Sequence, residues 1–140
     1  TNMWWIYALL SALFASLTAI FAKIGVENVS SNLATAIRTV VILFITWGIV
    51  FFNSEHKSLS TITKHSLAFL ILSGVATGLS WLFYFKALQL GAVSKVAPVD
   101  KLSVALTIVL SVIFLHEVVS WKVALGAGLI ISGTIVLIYQ

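Results

Sequence analysis

Five apolar stretches, each long enough to cross a bilayer, follow one another along this chain with only short polar joints between them. A spanning helix needs roughly 20 mainly apolar residues at 1.5 Å rise each. Candidates run from Trp4 to Ala22, Leu33 to Phe52, Leu67 to Leu90, Val96 to Leu115 and Val123 to Tyr139. Apolar residues make up 61% of the chain and charged residues 9%, against roughly 25% charged in a water-soluble domain. The bilayer is therefore the solvent, and the expected fold is an all-α integral membrane protein, a single five-helix membrane domain over residues 1–140.

The first span is too long and too continuous with the rest for a cleaved signal peptide, so it counts as structure. If Met3 is the natural start, Thr1 and Asn2 are an expression remnant. Cysteine is absent, which removes disulfides, thiolate chemistry and thiolate metal sites. His56, His65 and His116 sit in or beside the joints, match no metal-ligand spacing and read as solvated surface. No metal and no cofactor is expected. The net charge of +4 does not point to nucleic acid, because the basic residues are scattered over joints and helix ends with no stripe of interleaved aromatics.

Those basic residues bear instead on topology. Alternating spans put the N-terminus and the joints Asn53 to Ser66 and His116 to Lys122 on one side, called A here. The joints Lys23 to Asn32 and Gly91 to Lys95, with the C-terminus, lie on side B. Side A holds three basic residues, Lys57, Lys64 and Lys122; side B holds five, Lys23 and Lys95 with the near-terminal Arg38, Lys86 and Lys101. A Lys/Arg excess in short loops normally fixes orientation. The near balance is that of a chain able to insert both ways round.

Helical periodicity divides each span into faces. In the first, Tyr7, Ser11, Phe14, Thr18 and Phe21 fall on one face and the small residues Ala8, Ala12, Ser16 and Ala19 on another. Small residues allow close helix approach in lipid, so the polar-aromatic face is left to line a cavity. The third span repeats the design with Ser73, Thr77, Ser80 and Tyr84 beside Gly74, Gly78, Trp81 and Phe85. Its Gly74 and Gly78 form a G-x-x-x-G, a pattern that chiefly reports tight helix contact. The fourth span carries the most polar stripe, Asp100, Ser103, Thr107 and Ser111, within about 80° of arc. The fifth carries Ala124, Gly128 and Ser132, which reads as a packing or association surface. Pro98 either starts the fourth helix or breaks it, according to whether that helix begins at Ala97 or at Ser94.

A charge inside a span costs on the order of 2.5 to 3.5 kcal/mol on insertion scales. Arg38, Lys86, Asp100 and Lys101 all need a reason to be there. Arg38, Lys86 and Asp100 each lie roughly 6 to 8 Å from a helix end, and all those ends are on side B. Lys23 and Lys86, about opposite the hydroxyl stripes of their own helices, read as snorkelling to the interface. Asp100 is too short to snorkel. Its neighbour Lys101 points about 100° away on a helical wheel and cannot satisfy it well, so Arg38 or Lys86 is its expected partner, forming a gate at side B.

With those residues in place, the stretch from Phe83 to Ile138 resembles the EamA-type domain of the drug/metabolite transporter superfamily. The likeness is carried by Tyr84-Phe85-Lys86-Ala87-Leu88, by Gly91-Ala92-Val93-Ser94-Lys95-Val96-Ala97-Pro98, by Leu115-His116-Glu117 and by the helix holding Gly126 and Gly133. Lys23-Ile24-Gly25 and Arg38 extend it to the first two spans. Many members hold two such five-helix halves in inverted orientation within ten spans. The resemblance thus implies half of an inverted-repeat transporter, working as a homodimer, antiparallel by preference, in the cell (plasma or inner) membrane. It also implies that Glu117, at a recurring acidic position, makes a helix-end or loop contact.

The leading functional expectation is a secondary transporter that moves a small metabolite or drug-like molecule by alternating access. Tyr7, Ser11, Phe14, Thr18, Thr77, Ser80, Trp81, Tyr84, Ser103 and Thr107 are the expected cavity residues, with Arg38, Lys86, Asp100 and Lys101 at the gate. A small-multidrug-type exporter of organic cations is the second reading, although the first span lacks the buried carboxylate such proteins need. A nonconducting membrane partner subunit is the third, against which the polar stripes argue. Enzymatic activity is not expected, because no catalytic triad, metal cluster or phosphate-binding glycine loop occurs at recognisable spacing.

Overall fold

The computed structural model describes residues 3–139, so Thr1 and Asn2 lie outside the described range. The helices are α1 (Trp4–Gly25), α2 (Ser31–Phe52), α3 (Lys64–Leu90), α4 (Val93–Asp100), α5 (Leu102–Phe114) and α6 (Trp121–Ile138), with a 3₁₀ turn at Glu55–Thr61 after α2. The described residues contain no strand. Five helical segments are long and apolar enough to span a membrane, α4 and α5 together making the fourth at Val93–Phe114. A helix suits that solvent because its backbone donors and acceptors are satisfied within the segment. The predicted spans match these segments to within three residues at every end, except that the fourth is two helices.

Serine marks two of the helix starts. The Ser30 hydroxyl accepts the Leu33 N–H at 3.2 Å and the Ser120 hydroxyl accepts the Val123 N–H at 3.3 Å, each filling one orphan donor of a first turn. Two non-glycine residues in the left-handed region mark ends: Ser54 (φ 57°) after α2 and His116 (φ 56°) after α5. Histidine is among the residues that enter this region more readily than most. His116 therefore has a turning role in addition to its predicted surface position. The Glu117 N–H returns to the Ser111 carbonyl at 3.3 Å, which places Glu117 at a helix end as the resemblance implied.

The chain forms two compact units, one from Ile20 to Gln89 and the other comprising α1 through Ala19 with everything from Leu90 onward. In the first, the core gathers at the side-B ends of three helices. Phe85 and Leu88 are fully buried, with Val26, Ala22 and Thr35 nearly so. Here α1 and α3 brace each other's termini. The Lys23 ammonium donates to the Leu88 carbonyl, two residues from the end of α3, and the Gln89 amide donates to the carbonyls of Val26, at 3.2 Å, and Val29. A helix leaves its last four carbonyls without partners, and hydrocarbon supplies none. These side chains stand in for water. Away from this knot the unit opens: no residue in the most apolar stretch of α3 is buried, and a Cβ added at Gly74 or Gly78 would meet nothing within 4 Å. The expected tight contact at this G-x-x-x-G is thus not made within this unit, because the small face of α3 has no neighbour there.

In the second unit α6 packs on both α4 and α5. Thr134 of α6 and Ala105 of α5 are its buried residues beside Ala19. The Thr134 hydroxyl donates to the Ile130 carbonyl of its own helix at 2.8 Å and lies 3.5 Å from the Pro98 carbonyl of α4. Pro98 is inside α4, which begins at Val93, and this settles its two predicted roles in favour of the break. Lacking an N–H, it has nothing to give the Ser94 carbonyl. Regular helix stops two residues later, and the Lys101 N–H closes the turn on the carbonyls of Ala97, at 3.3 Å, and Pro98, at 3.0 Å.

Candidate functional site

Two places hold charge within the apolar spans, one in each unit. In the first, Arg38 lies seven residues past the start of α2, roughly 10 Å along the axis at 1.5 Å per residue. Its guanidinium carbon is 4.8 Å from the centre of the Trp81 ring and 4.7 Å from that of Phe85. Trp81 and Phe85 are one helical turn apart on α3, so a single face supplies both rings. Phe85 is fully buried and is itself set by the Tyr84 ring, 6.0 Å away. Both distances are within the roughly 6 Å over which a cation is drawn to a ring face. The sequence reading noted Trp81 and Phe85 as flanking the hydroxyl stripe of α3 and missed that they hold Arg38. The available signal was an arginine in one span and two aromatics four residues apart in another.

The second place is the interruption between α4 and α5. Lys101 Nζ stands 3.9 Å from Asp100 Oδ2, with the two side chains 58% and 39% exposed. The helical wheel forbade a good pair, and the pair is indeed long. It forms because the chain leaves the helix at Lys101, where a wheel no longer applies. Arg38 and Lys86 have no carboxylate within 4 Å among the described residues. Lys86 is exposed, as snorkelling requires. Lys23, also expected to snorkel, is instead committed to the Leu88 carbonyl.

The predicted cavity hydroxyls divide by what their protons do. Thr18, Thr77 and Thr107 donate to the carbonyls of Phe14, Ser73 and Ser103 at 2.8, 2.9 and 2.7 Å, the backbone four residues earlier in each case. In that rotamer each presents lone pairs and no proton to a ligand. Ser11, Ser80 and Ser103 are exposed, as are Tyr7 and Phe14, while Trp81 and Tyr84 are half-buried. Ser103 and Thr107 belong to α5 and Asp100 to α4, so the stripe read as continuous crosses the break. The residues of α3 with Arg38, and those of α4 with α5, form two separate groups, one in each unit.

No cluster of three or more His, Cys, Asp or Glu side chains suited to a metal occurs among the described residues. One unit offers an aromatic-held guanidinium, and the other a long-paired carboxylate with hydroxyl oxygens beyond it.

Comparison with known proteins identifies the family. A Sinorhizobium protein described as an uncharacterized transporter in the 3′ region of cobO is 47% identical over 137 residues, covering 98% of this chain and 97% of its own. An uncharacterized protein of Methanocaldococcus jannaschii is 29% identical over 138 residues, covering 94% and 93%. No solved structure matches the chain. The pattern of the EamA-like transporter family matches residues 2–139. Five spans, charge placed inside them and a family match along nearly the whole length make this chain a member of the EamA-like transporter family, a multi-pass membrane transporter of the drug/metabolite type.

Proposed function

We propose that the protein is a secondary transporter in the plasma or inner membrane, carrying a small metabolite or drug-like molecule by alternating access as a homodimer. The observation that carries this reading is the interruption of the fourth span at Asp100 and Lys101, just after Pro98. Transporters build binding sites and gates where a spanning helix is discontinuous, and an ionisable residue at membrane depth is functional by default. A pair as long as 3.9 Å and as exposed as this one holds Asp100 weakly. That leaves the carboxylate able to exchange Lys101 for Arg38 or Lys86 when the side-B gate closes. Tyr7, Ser11, Phe14, Thr18, Thr77, Ser80, Trp81, Tyr84, Ser103 and Thr107 line the path.

Counterflow in proteoliposomes tests the gate. Asp100→Asn should abolish most transport, and double-mutant cycles with Arg38→Gln and with Lys86→Gln should reveal a coupling energy in one of them. Additive losses in both cycles would remove the latch and leave Asp100 as a substrate- or proton-binding carboxylate. Thr107→Leu or Ser103→Leu should weaken substrate binding at unchanged expression, as isotherms on purified protein would register. Unchanged affinity in both would assign those hydroxyls to helix packing.

The dimer rests on the balanced basic residues and on the open small-residue faces. Gly74, Gly78, Gly126, Gly128 and Gly133 all face space that a Cβ would not fill, where a second copy can approach closely. A single cysteine introduced at Glu55 into this cysteine-free chain should be labelled from both sides of the membrane. Labelling from one side alone would eliminate the antiparallel arrangement.

A further inference from the structure

We infer that the cargo is a small organic anion whose carboxylate or phosphate oxygens dock on the Arg38 guanidinium; this rests on the transporter reading and deepens it. The guanidinium is a planar fork with five N–H donors and no acceptor. Trp81 and Phe85 engage it at 4.8 and 4.7 Å from their ring centres, and an aromatic face takes up the cation without taking up its donors in conventional hydrogen bonds. Among the described residues no oxygen accepts a hydrogen bond from Arg38 and no carboxylate lies within 4 Å, its electrostatic neighbour being Tyr84 of α3. The neighbouring hydroxyls on α2 do not change this, since Thr35 donates to the Ser31 carbonyl at 2.8 Å and Thr39 to the Thr35 carbonyl at 2.7 Å. A half-buried, ring-held arginine with its fork unused is built for an oxyanion, which it can bind bidentately.

Charge around it favours the same sign of ligand. On side B, where Arg38 lies, the unit from Ile20 to Gln89 contains Lys23, Arg38 and Lys86 against Glu27. Glu55 lies in the 3₁₀ turn on side A and Glu27 is exposed in the joint after α1, so neither neutralises Arg38. A cationic solute would bring like charge to the guanidinium in a low-dielectric setting, and a neutral one would leave it uncompensated. An anion removes the penalty of the buried charge when it binds. The rings also suit the part of the cargo next to its anionic group, because Trp81 is only half-buried and leaves an apolar flank open.

Uptake by proteoliposomes of pure phosphatidylcholine, loaded from a pool of metabolites and read by mass spectrometry, tests this. The pool contains carboxylates and phosphate monoesters, sugars and polyols, and amines, all at pH 7. Uptake above that of protein-free vesicles should be concentrated in the carboxylates and phosphate monoesters. Arg38→Gln should reduce it at least tenfold, and Arg38→Lys, which keeps the charge and the fold but loses the fork, should weaken it about tenfold. Uptake confined to amines or to neutral solutes would overturn the inference while leaving a transporter, as would anion uptake that stays within twofold of the wild type in both variants. Absence of uptake for every class would overturn the transporter reading along with it. Adding phosphatidylglycerol should change anion uptake less than twofold; its abolition would assign the guanidinium to a lipid headgroup.

Discussion

Arg38 and Asp100 are both charges set inside apolar spans, and the chain treats them in opposite ways. Arg38 is half-buried, with two rings of one helix face against it and a fully buried Phe85 as its floor. Asp100 stands at a break in its own helix, its side chain 39% exposed, with a sequence neighbour 3.9 Å away as its ion partner. The difference is one of independence from local backbone. The aromatic site is assembled from α2 and an α3 whose end is tied to that of α1, whereas the carboxylate depends on the turn that follows a proline inside its own helix. The first arrangement suits a fixed recognition element and the second a moving one.

Substitutions can break that contrast, beginning with the largest expected effect. Phe85→Ala should lower stability by about 3 to 5 kcal/mol, because it empties a fully buried position and removes half of the support under Arg38. Thermal unfolding in detergent micelles would measure it. Lys23→Met should come next, at about 1.5 to 3 kcal/mol for a hydrogen bond made by a charged donor to an otherwise unpartnered carbonyl. Gln89→Leu should follow at about 1 kcal/mol. Lys101→Met should change stability by less than about 1 kcal/mol, since exposed ion pairs contribute little and are screened, yet it should alter transport rate. If Lys101→Met proves as destabilising as Lys23→Met, the supposed looseness of the second site is wrong.

The sequence made the spans legible because hydropathy over some 20 residues is a strong signal and lipid leaves the backbone one local solution. The ends moved outward in α2 and α3 because Ser30 caps α2 from just before Ser31, and Lys64, His65 and Ser66 continue α3 into the polar joint. The break at Lys101 was half visible, in Pro98, but whether proline starts or interrupts a helix depends on a boundary of a few residues. Individual charges were legible as costly and their partners were not. Lys23 and Gln89 find backbone carbonyls, and no side-chain pattern in a sequence announces a carbonyl. The aromatic support of Arg38 escaped for a related reason: periodicity assigns Trp81 and Phe85 to a face of α3 without saying which helix that face meets.

The crossed bonds between the ends of α1 and α3 bear on how this chain enters the bilayer. Lys23 belongs to the first span to be synthesised and its carbonyl partner, Leu88, to the third. Until α3 emerges that carbonyl does not exist, and the ammonium, two residues from the end of α1, has the headgroups to snorkel to. Its bond to Leu88 and the seating of Gln89 on Val26 and Val29 form only after α2, which lies between them in the chain, has been synthesised. A chain stopped after α2 lacks every one of these bonds, so the end of α1 is secured only by the third span.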